Sequence, residues 1–406
     1  MNITKRISTR ILFFQGSSNP LPNACWARIS FFATYFKSRG HDVNIAGTFS
    51  PRSIEQAGLK YWSGIRIYNL CPTLWIEKTP SLIFNVFSSL IVYPLLALLL
   101  RPKLTLISVP PGEPAVGAFF SSKLIGAKVV FDVRDEWEDY VIGKISSRGY
   151  KAAYRIFKVL MTSIYVKSNL IVTVTPHLAR SLLIRGVRDV RLVPNGADVS
   201  VFRPYEKAGI RERLKLRKGE FVLVYSGGIG GYYRLDIVVR AMARLDNVIR
   251  SKIKLLMVGS GGLPQLVSVS EKLGLKDNVV YLGVKDDKKE LAQILSAGDM
   301  GVIPYDDNPL WKNSVPAKFY EYCSCGIPVV ATVYDDSLLA KLIKENGIGL
   351  TVRPMDEKKL AEAIRYFYEN ELFRVVAGRK ARELVETKFD RNKIAEEFLN
   401  LIKVLA

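Results

Sequence analysis

The chain has 406 residues, 49% hydrophobic and 24% charged, a composition typical of a globular protein with two or three domains that excludes a disordered chain. Lysine and arginine exceed aspartate and glutamate throughout, giving a net charge of +21, so an anionic partner is expected: nucleic acid, a phosphorylated small molecule or acidic lipid. The four cysteines show no paired Cys-x-x-Cys spacing and only two histidines could join them, which argues against a zinc site and favours a reduced, cytosolic compartment.

Short β-rich runs alternate with helix-length stretches through the first half of the chain. The helical stretches include 24–39 and 150–167, and the β-rich runs are "RILFF", "HDVNIAG", "LTLISV", "AKVVFDV", "NLIVTVT" and "VRLVP". This alternation predicts a parallel sheet with crossover helices, which is one Rossmann-like domain. The first apolar run, 11–14, is too short for a signal peptide and is predicted to be the first strand.

Residues 81–103 interrupt this pattern with a long apolar stretch that has no charge between Lys78 and Arg101. Its length meets the requirement for a membrane-spanning helix, but the strands predicted on either side belong to one sheet and cannot lie on opposite faces of a bilayer. A fully buried core helix is one alternative. We favour a monotopic helix that dips into the cytoplasmic leaflet, with Lys78, Arg101 and Lys103 attracted to anionic headgroups. The protein is then expected in the cytoplasm, peripherally bound to the inner face of the membrane.

Arg134 and Asp135, in "FDVRDEWEDY", directly follow a predicted strand. Catalytic and ligand-binding groups concentrate at the carboxyl ends of strands in α/β sheets, so both residues are candidates for the site. The alternative is a capped helix start with surface charges.

The alternation resumes after a Pro/Gly/Asp-rich connector at 194–204, with the runs "FVLVYSG", "IKLLMVGSG", "NVVYLG", "DMGVIP", "IPVVAT" and "IGLTV". Residues 356–406 are nearly all helix-forming and predict two or three helices interrupted at Gly378. The predicted organisation is an N-terminal domain, a second Rossmann-like domain and a C-terminal helix that returns to the first, at 1–197, 198–385 and 386–406. Two such sheets leave a cleft at the carboxyl ends of their strands, where ligands bind.

Two glycine-rich turns follow strands of the second domain. "YSGGIGGYYR" precedes a helix expected to begin near Leu235, and its bare N–H groups could hold phosphate oxygens with Arg234 adding charge. "MVGSGG", which contains Gly259, is similar. Neither stretch matches G-x-G-x-x-G or a Walker loop, which disfavours a nicotinamide enzyme or a P-loop ATPase. Purely structural turns remain the alternative.

The stretch "VPAKFYEYCSCGIPVVAT" places Pro316 at a predicted first helical position and Lys318 and Glu321 on one face of that helix. An exposed ion pair is one interpretation. The other is a ligand whose phosphates meet Lys318 and whose hydroxyls donate to Glu321, because a carboxylate only accepts hydrogen bonds. A nucleotide diphosphate has both features.

In their order and spacing these segments resemble the retaining, GT-B glycosyltransferases of family four, within them the members that build cell-surface and lipid-linked glycans. The resemblance runs from "FFQGSSNPLPNACWARISFFATYFKSRGHDV" through "VVFDVRDEWEDY", "VTVTPHLARSLLIRGV" and "RLVPNGADVSVFRP" to "VYSGGIGGYYRLDIVVRAM", "LLMVGSGG", "VVYLGVKDDKKELAQILSAGDMGVIPY" and "VPAKFYEYCSCGIPVVAT". It implies an α/β fold of two Rossmann-like domains facing across a cleft, with the C-terminal helices packing back on the N-terminal domain.

The resemblance also implies roles for individual positions. The glutamate matching Glu321 binds the donor's ribose, basic residues bind its diphosphate, and the base lies near Gly283 and Val284. The predicted donor-binding residues are Gly16, Gly228, Arg234, Gly259, Val284, Asn313, Lys318 and Glu321. Those predicted on the acceptor side are Ser17, Ser18, Arg134 and Asp135, and those predicted to be catalytic are Arg234, Lys318 and Asp135. Asn313, Gly228 and Arg134 depart from the glutamate, arginine and histidine common in the family.

The reaction implied is transfer of a hexosyl or N-acetylhexosaminyl group from a nucleotide sugar, with retention and without a metal or other cofactor. The expected partners are the nucleotide-sugar donor, a glycan or lipid-linked acceptor and an anionic membrane surface. Two alternatives stay open: a sugar-nucleotide epimerase of the same architecture, which needs acid and base side chains in its cleft, and a basic nucleic-acid-binding protein. The second predicts basic clusters among exposed aromatic residues rather than glycine-rich loops, so we expect no nucleic acid partner.

Overall fold

The computed structural model describes residues 8–20, 24–74 and 81–405, so Lys78 lies outside the described residues. The chain divides into two compact units. The first unit comprises residues 1–194 and 392–406, and the second comprises residues 195–391. The sequence placed these boundaries at 197 and 385.

The first unit is built on a sheet that has eight strands within the described residues, in the order β3-β4-β2-β1-β5-β6-β7-β8. All neighbouring strands run parallel except β3 and β4. The strands are β1 (Arg10–Gln15), β2 (Asp42–Phe49), β3 (Gly58–Trp62), β4 (Ile65–Pro72), β5 (Leu104–Val109), β6 (Lys128–Val133), β7 (Leu170–Thr173) and β8 (Val190–Leu192). The helices between them are α1 (Ala24–Ser38), α2 (Ser81–Leu100), α3 (Glu113–Leu124), α4 (Trp137–Lys144), α5 (Arg148–Val166) and α6 (Pro176–Ile184).

The sequence analysis missed the β3–β4 hairpin. β4 alternates between buried and more exposed residues and β3 between half-buried and exposed ones, as expected at the edge of a sheet. Ser63 and Gly64 form the turn with positive φ angles of 46° and 71°. The continuous apolar runs of the parallel strands indicate a strand more strongly than this half-buried alternation does. The hairpin was therefore not predicted from the sequence.

The second unit carries a parallel sheet with six strands within the described residues, in the order β11-β10-β9-β12-β13-β14. The strands are β9 (Phe221–Ser226), β10 (Ile253–Val258), β11 (Val279–Tyr281), β12 (Met300–Pro304), β13 (Val329–Thr332) and β14 (Gly349–Val352). The helices are α7 (Lys207–Arg213), α8 (Leu235–Ala243), α9 (Asn247–Lys252), α10 (Leu263–Lys272), α11 (Lys288–Ser296), α12 (Ala317–Ser324), α13 (Leu338–Asn346), α14 (Glu357–Glu369) and α15 (Glu371–Lys388). Two Rossmann-like sheets were predicted, and the structure confirms them.

The last helix, α16 (Arg391–Lys403), packs on the first unit and completes its core. The ring of Phe398 lies 5.1 Å from that of Phe32 in α1, and Phe398, Leu399 and Ile402 are buried there. The predicted return of the C-terminal helix to the N-terminal domain is confirmed.

The predicted interruption at Gly378 is wrong, because α15 runs through this residue. A Cβ at Gly378 would lie 2.3 Å from the carbonyl oxygen of Gly326. The glycine is therefore needed for close packing of the helix on the Gly326 turn rather than for a break in the helix.

Helix α2 is buried on one face only. That face packs on α3, where Gly117 allows a close approach: a Cβ at this position would lie 2.3 Å from the carbonyl oxygen of Ser89. On the other face the apolar side chains of Ile83, Phe87 and Leu99 are 72%, 64% and 74% exposed. The alternative of a fully buried core helix is therefore wrong.

Within the described residues α2 is also the one helix long and apolar enough to cross a membrane. It follows β4 and precedes β5, and both strands belong to the same sheet of the first unit.

Candidate functional site

The site in the second unit is built from loops that follow adjacent parallel strands. The loop after β9 is hydrogen-bonded to the loop after β10: Ile229 donates its N–H to the carbonyl of Ser260 at 2.7 Å, and Gly262 donates to the carbonyl of Ile229 at 2.7 Å. Because both strands end at the same edge of the sheet, the two glycine-rich segments form one surface of exposed backbone.

Glycine is required at the centre of this surface. Gly259 has a φ of +146°, and a Cβ there would lie 1.8 Å from the carbonyl oxygen of Gly227. The N–H of Gly259 donates to the carbonyl of Gly283 at 2.9 Å, which brings the loop after β11 alongside. Val284, the position predicted for the base, follows Gly283 and is 52% exposed.

Helix α12 brings Lys318 to the same loops. The helix begins at Ala317, so Pro316 is the capping residue and not the first helical residue, a one-residue correction to the prediction. Lys318 is only 6% exposed, and its Nζ has no hydrogen-bond partner in the described part of the chain. The alternative of an exposed ion pair is therefore wrong.

Two tyrosine rings enclose this ammonium group. Nζ of Lys318 lies 3.8 Å from the ring centre of Tyr225 and 3.5 Å from that of Tyr233. A Cβ at Gly227 would lie 3.1 Å from Nζ, so the group also borders the loop after β9. Burial lowers the pKa of Lys318 well below its usual value, and the nearby Glu321 carboxylate opposes that change.

A buried ammonium without hydrogen-bond acceptors is costly, so a ligand that supplies them is expected to bind here. Phosphate oxygens are suitable, since they would accept from Lys318 and from loop N–H groups that do not already donate to backbone carbonyls, as those of Ile229, Gly259 and Gly262 do. Glu321, half-buried and one helical turn after Lys318, offers a carboxylate to hydroxyl groups of the same ligand.

Arg234 lies at the start of α8, where its N–H donates to the carbonyl of Pro304 at 2.7 Å. Its guanidinium forms a two-point ion pair with Asp236 at 2.7 and 2.8 Å, and this pair raises the pKa of Arg234. The residue is therefore oriented by Asp236, and its charge is partly neutralised before any ligand binds. Gly228 is exposed, and its carbonyl accepts a hydrogen bond from the hydroxyl of Tyr225.

Asn313 ends a short 3-10 helix, Pro309–Asn313, after β12 and is half-buried. Next to it is an aromatic cluster in which the ring of Trp311 lies 4.4 Å from Tyr232 and 5.5 Å from Tyr305. These rings border the turn that carries Tyr233, since Tyr233 and Tyr305 pair through their backbones and stack at 5.2 Å. Asn313 thus lies on the segment that packs against the Lys318 surroundings.

The acceptor-side candidates lie in the first unit together with Gly16, which was predicted to bind the donor, at the ends of three adjacent strands. A Cβ at Gly16, after β1, would lie 2.6 Å from Cγ of Pro111, so only glycine allows the approach to the loop after β5. Arg134, after β6, donates to the carbonyl of Pro110 in that same loop at 2.8 Å. The structure therefore brings Gly16 and Arg134 to one place, on either side of Pro110 and Pro111.

Ser17 and Ser18 follow Gly16 and are half-buried, and the Ser17 hydroxyl accepts from Gln15 at 3.2 Å. Asp135 is exposed at the end of the β6 loop. Desolvation by the surrounding chain raises the pKa of its carboxyl to about 6, and the charge of Arg134 opposes this rise. Asp135 is thus available to a ligand on this side of the first unit.

Within residues 8–20, 24–74 and 81–405 no group of three or more histidine, cysteine, aspartate or glutamate side chains is placed to hold a metal ion. Cys25, Cys71, Cys323 and Cys325 are all free cysteines, and burial raises the pKa of Cys71 to about 11.

Sequence reasoning missed Tyr225 and Tyr233. Both lie within the quoted "VYSGGIGGYYR", one at the end of β9 and one just before Arg234, but a buried tyrosine in such a position is usually a core residue. Only the placement of Nζ of Lys318 between the two rings distinguishes these tyrosines from ordinary core residues.

Residues 206–384, most of the second unit, match the family model described as "Glycosyl transferases group 1". The matched region contains the glycine-rich loops, Lys318 and Glu321.

Curated relatives point the same way. The chain is 33% identical over 149 residues to a D-inositol 3-phosphate glycosyltransferase of Segniliparus rotundus, covering 35% of this chain and 31% of the relative. It is 24% identical over 220 residues to an N-acetyl-alpha-D-glucosaminyl L-malate synthase of Bacillus anthracis, covering 53% and 54%. The chain thus spans roughly a third to a half of the length of these relatives.

Solved structures resemble the chain over nearly its whole length. Sucrose-phosphate synthase from Thermosynechococcus elongatus gives a TM-score of 0.77 at 18% identity, covering 98% of this chain and 99% of that one. HepE of Anabaena in complex with UDP gives 0.68 at 15% identity, covering 98% and 100%. The fold is therefore the two-domain GT-B fold of these glycosyltransferase structures.

Proposed function

We propose that this chain is a glycosyltransferase that moves a hexosyl or N-acetylhexosaminyl group, with retention of configuration, from a nucleoside diphosphate sugar to a glycan or lipid-linked acceptor. The observation that carries the proposal is the buried ammonium of Lys318, which has no hydrogen-bond partner within the described residues and lies against the glycine-rich loops after β9 and β10. The family match of residues 206–384 and the UDP complex of a protein with the same fold support it.

Each donor group has a complementary residue in the second unit. The diphosphate would bind Lys318 and the N–H groups of the glycine loops, with Arg234 adding charge. The ribose hydroxyls would donate to Glu321, and the base would lie beside Gly283 and Val284. No cofactor is part of this arrangement.

In the reaction, the bond between the anomeric carbon and the diphosphate oxygen breaks, and a bond forms from that carbon to the acceptor hydroxyl oxygen. The diphosphate leaves with the electron pair of the broken bond and takes up the acceptor's proton. Negative charge therefore develops on the leaving phosphate, where Lys318 and the loop N–H groups stabilise it without a metal ion. Asp135 would position the acceptor beside Ser17, Ser18 and Arg134.

We further propose that the acceptor is lipid-linked and reaches the first unit at the inner face of the membrane. The apolar face of α2 supports this proposal, because Phe87, Leu95 and Leu99 are all more than 60% exposed along one helix. Arg101 and Lys103 follow the helix directly and are exposed, so a negatively charged headgroup layer would meet them.

The donor proposal is tested by calorimetric titration of UDP-, GDP- and ADP-sugars and of the free nucleoside diphosphates. We expect the nucleoside diphosphate of one base to bind. The corresponding sugar nucleotide should be hydrolysed slowly in the absence of an acceptor. The proposal would be contradicted if the wild-type protein bound no nucleoside diphosphate at millimolar concentration.

A further inference from the structure

The two tyrosines around Lys318 have no role in the donor contacts described above. Tyr225 is fully buried at the end of β9, and Tyr233 is 9% exposed in the turn before α8. They belong to different segments, yet both rings face the same ammonium, at 3.8 and 3.5 Å from Nζ.

This arrangement differs from ordinary aromatic packing because the enclosed amine is a cation in its protonated form. An ammonium group loses its hydration when it is buried, and the negative face of an aromatic ring replaces part of that interaction, more strongly where water is excluded. The hydroxyl of Tyr225 does not solvate the ammonium, because it donates instead to the carbonyl of Gly228. Tyr225 therefore joins the Lys318 side chain to the loop after β9.

Tyr233 is held in place independently. Its ring stacks on that of Tyr305 at 5.2 Å with a 20° angle between the planes, and its backbone pairs with Tyr305 as well. Burial raises the pKa of both Tyr225 and Tyr233 far above neutral pH, so neither hydroxyl carries a charge that would pair with the lysine. The rings themselves are the groups that face Nζ.

We propose that Tyr225 and Tyr233 are positioning residues that hold the Lys318 ammonium at the Gly227 turn, ready to bind the donor's diphosphate. The inference rests on the proposed function for the identity of the anion. The rings cannot donate to or accept from the phosphate in place of lysine, so their effect on the ligand is exerted through Lys318. A diphosphate would add the hydrogen-bond acceptors that the rings do not supply.

The test is a double-mutant cycle between Tyr233 and Lys318. We expect Tyr233→Leu to weaken binding of the nucleoside diphosphate that wild type prefers by about tenfold, a size typical of a desolvated cation–π contact, while Tyr233→Phe retains binding. In a Lys318→Met background Tyr233→Leu should weaken binding no further. Tyr320→Leu, which removes a buried ring of α12 that packs on Phe389, is the matched control and should act equally in both backgrounds.

The same cycle is measured without ligand by urea unfolding, which separates this inference from the proposed function. Loss of the Tyr233 ring should destabilise the protein more when Lys318 is present than when methionine replaces it. Equal destabilisation in the two backgrounds, or a Phe variant as impaired as the Leu variant, overturns the positioning role. If Tyr233 and Lys318 are coupled in stability but the protein binds none of UDP, GDP and ADP, the ring contacts to Lys318 stand. The diphosphate assignment and the proposed function are then both overturned.

Discussion

Lys318 and Glu321 are one helical turn apart, but the two side chains differ in burial. The lysine is buried between aromatic rings, whereas the glutamate is half-buried and keeps contact with solvent. One residue can thus bind a buried phosphate group, and the other can accept from hydroxyl groups nearer the surface.

We expect Lys318→Ala and Glu321→Ala each to lower the transfer rate by about a hundredfold or more, because each removes a charged contact to the donor. Steady-state rates with the preferred sugar nucleotide check this, with circular dichroism and melting curves to verify folding. Glu345→Ala, at an exposed glutamate of α13, is the matched control and should retain full activity. A folded variant at either site with a rate near wild type would refute the assignment of that residue.

The lowered pKa of Lys318 predicts that donor binding depends on pH. Bound phosphate favours the charged ammonium, so the pKa of Lys318 is higher in the complex than in the free protein, and binding takes up a proton between the two values. Affinity for the nucleoside diphosphate should therefore fall as pH rises from about 7.5 to 10, a range in which the phosphates stay fully ionised. Titrations in buffers of different ionisation enthalpy measure the uptake, and Lys318→Arg should remove it.

At these positions the sequence predicts which side chains could contact a ligand better than it predicts what surrounds those side chains in the fold. Lys318 and Glu321 are recognisable from their spacing, since residues three apart share a helix face. The rings of Tyr225 and Tyr233 come from a strand end and a turn, and only the tertiary fold brings them to Nζ. The pairing of Arg234 with Asp236 also escaped prediction, because two residues so close in sequence have many alternative partners.

At the scale of elements, the parallel strands of both sheets were predictable because most are short apolar runs between glycine, proline or polar residues. The errors fall where burial is partial or where packing overrides a local preference. The half-buried β3–β4 hairpin was missed for the first reason. Gly378 was misread for the second, since glycine is a poor helix former yet allows α15 to approach Gly326.

This explanation predicts opposite effects for two glycine substitutions within helices. Gly378→Ala would place a methyl group 2.3 Å from a backbone oxygen, so we expect a loss of about 1–3 kcal/mol in the free energy of unfolding. Gly149→Ala in α5, where a Cβ meets nothing within 4 Å, should instead gain about 0.5–1 kcal/mol. Urea unfolding of the two variants checks both values, and a neutral or stabilising Gly378→Ala would contradict the packing explanation.

At the scale of the whole molecule, the net charge of +21 places no constraint on the fold but affects what approaches the protein. A small anionic donor needs only a few cationic side chains, such as Lys318 and Arg234, and these account for little of the excess. The remainder is spread along the chain, so a large anionic surface is a better explanation for it than the donor.

The proposed chemistry predicts metal independence. In that chemistry Lys318 and loop N–H groups would stabilise the leaving diphosphate, so dialysis against EDTA should change the transfer rate by less than about twofold. Rates measured after dialysis, with and without added magnesium or manganese, check this. Loss of activity that either ion restores would contradict it and would require a metal-binding site that bridges the donor phosphates.

The membrane proposal rests on the charge of the molecule and on the exposed face of α2. Floated with vesicles that contain anionic lipid, the protein should move with the lipid at low salt and bind less as salt screens its charge. Serine at Leu95, Leu98 and Leu99, which are 67%, 50% and 74% exposed, removes apolar surface without opening the core, so most binding should be lost while the melting temperature stays near wild type. Serine at Leu372 and Val375 of α15, 77% and 63% exposed in the second unit, is the matched control and should leave flotation unchanged. Wild-type protein that stays with the soluble fraction at low salt would contradict the membrane proposal, and a soluble glycan would then replace the lipid-linked acceptor.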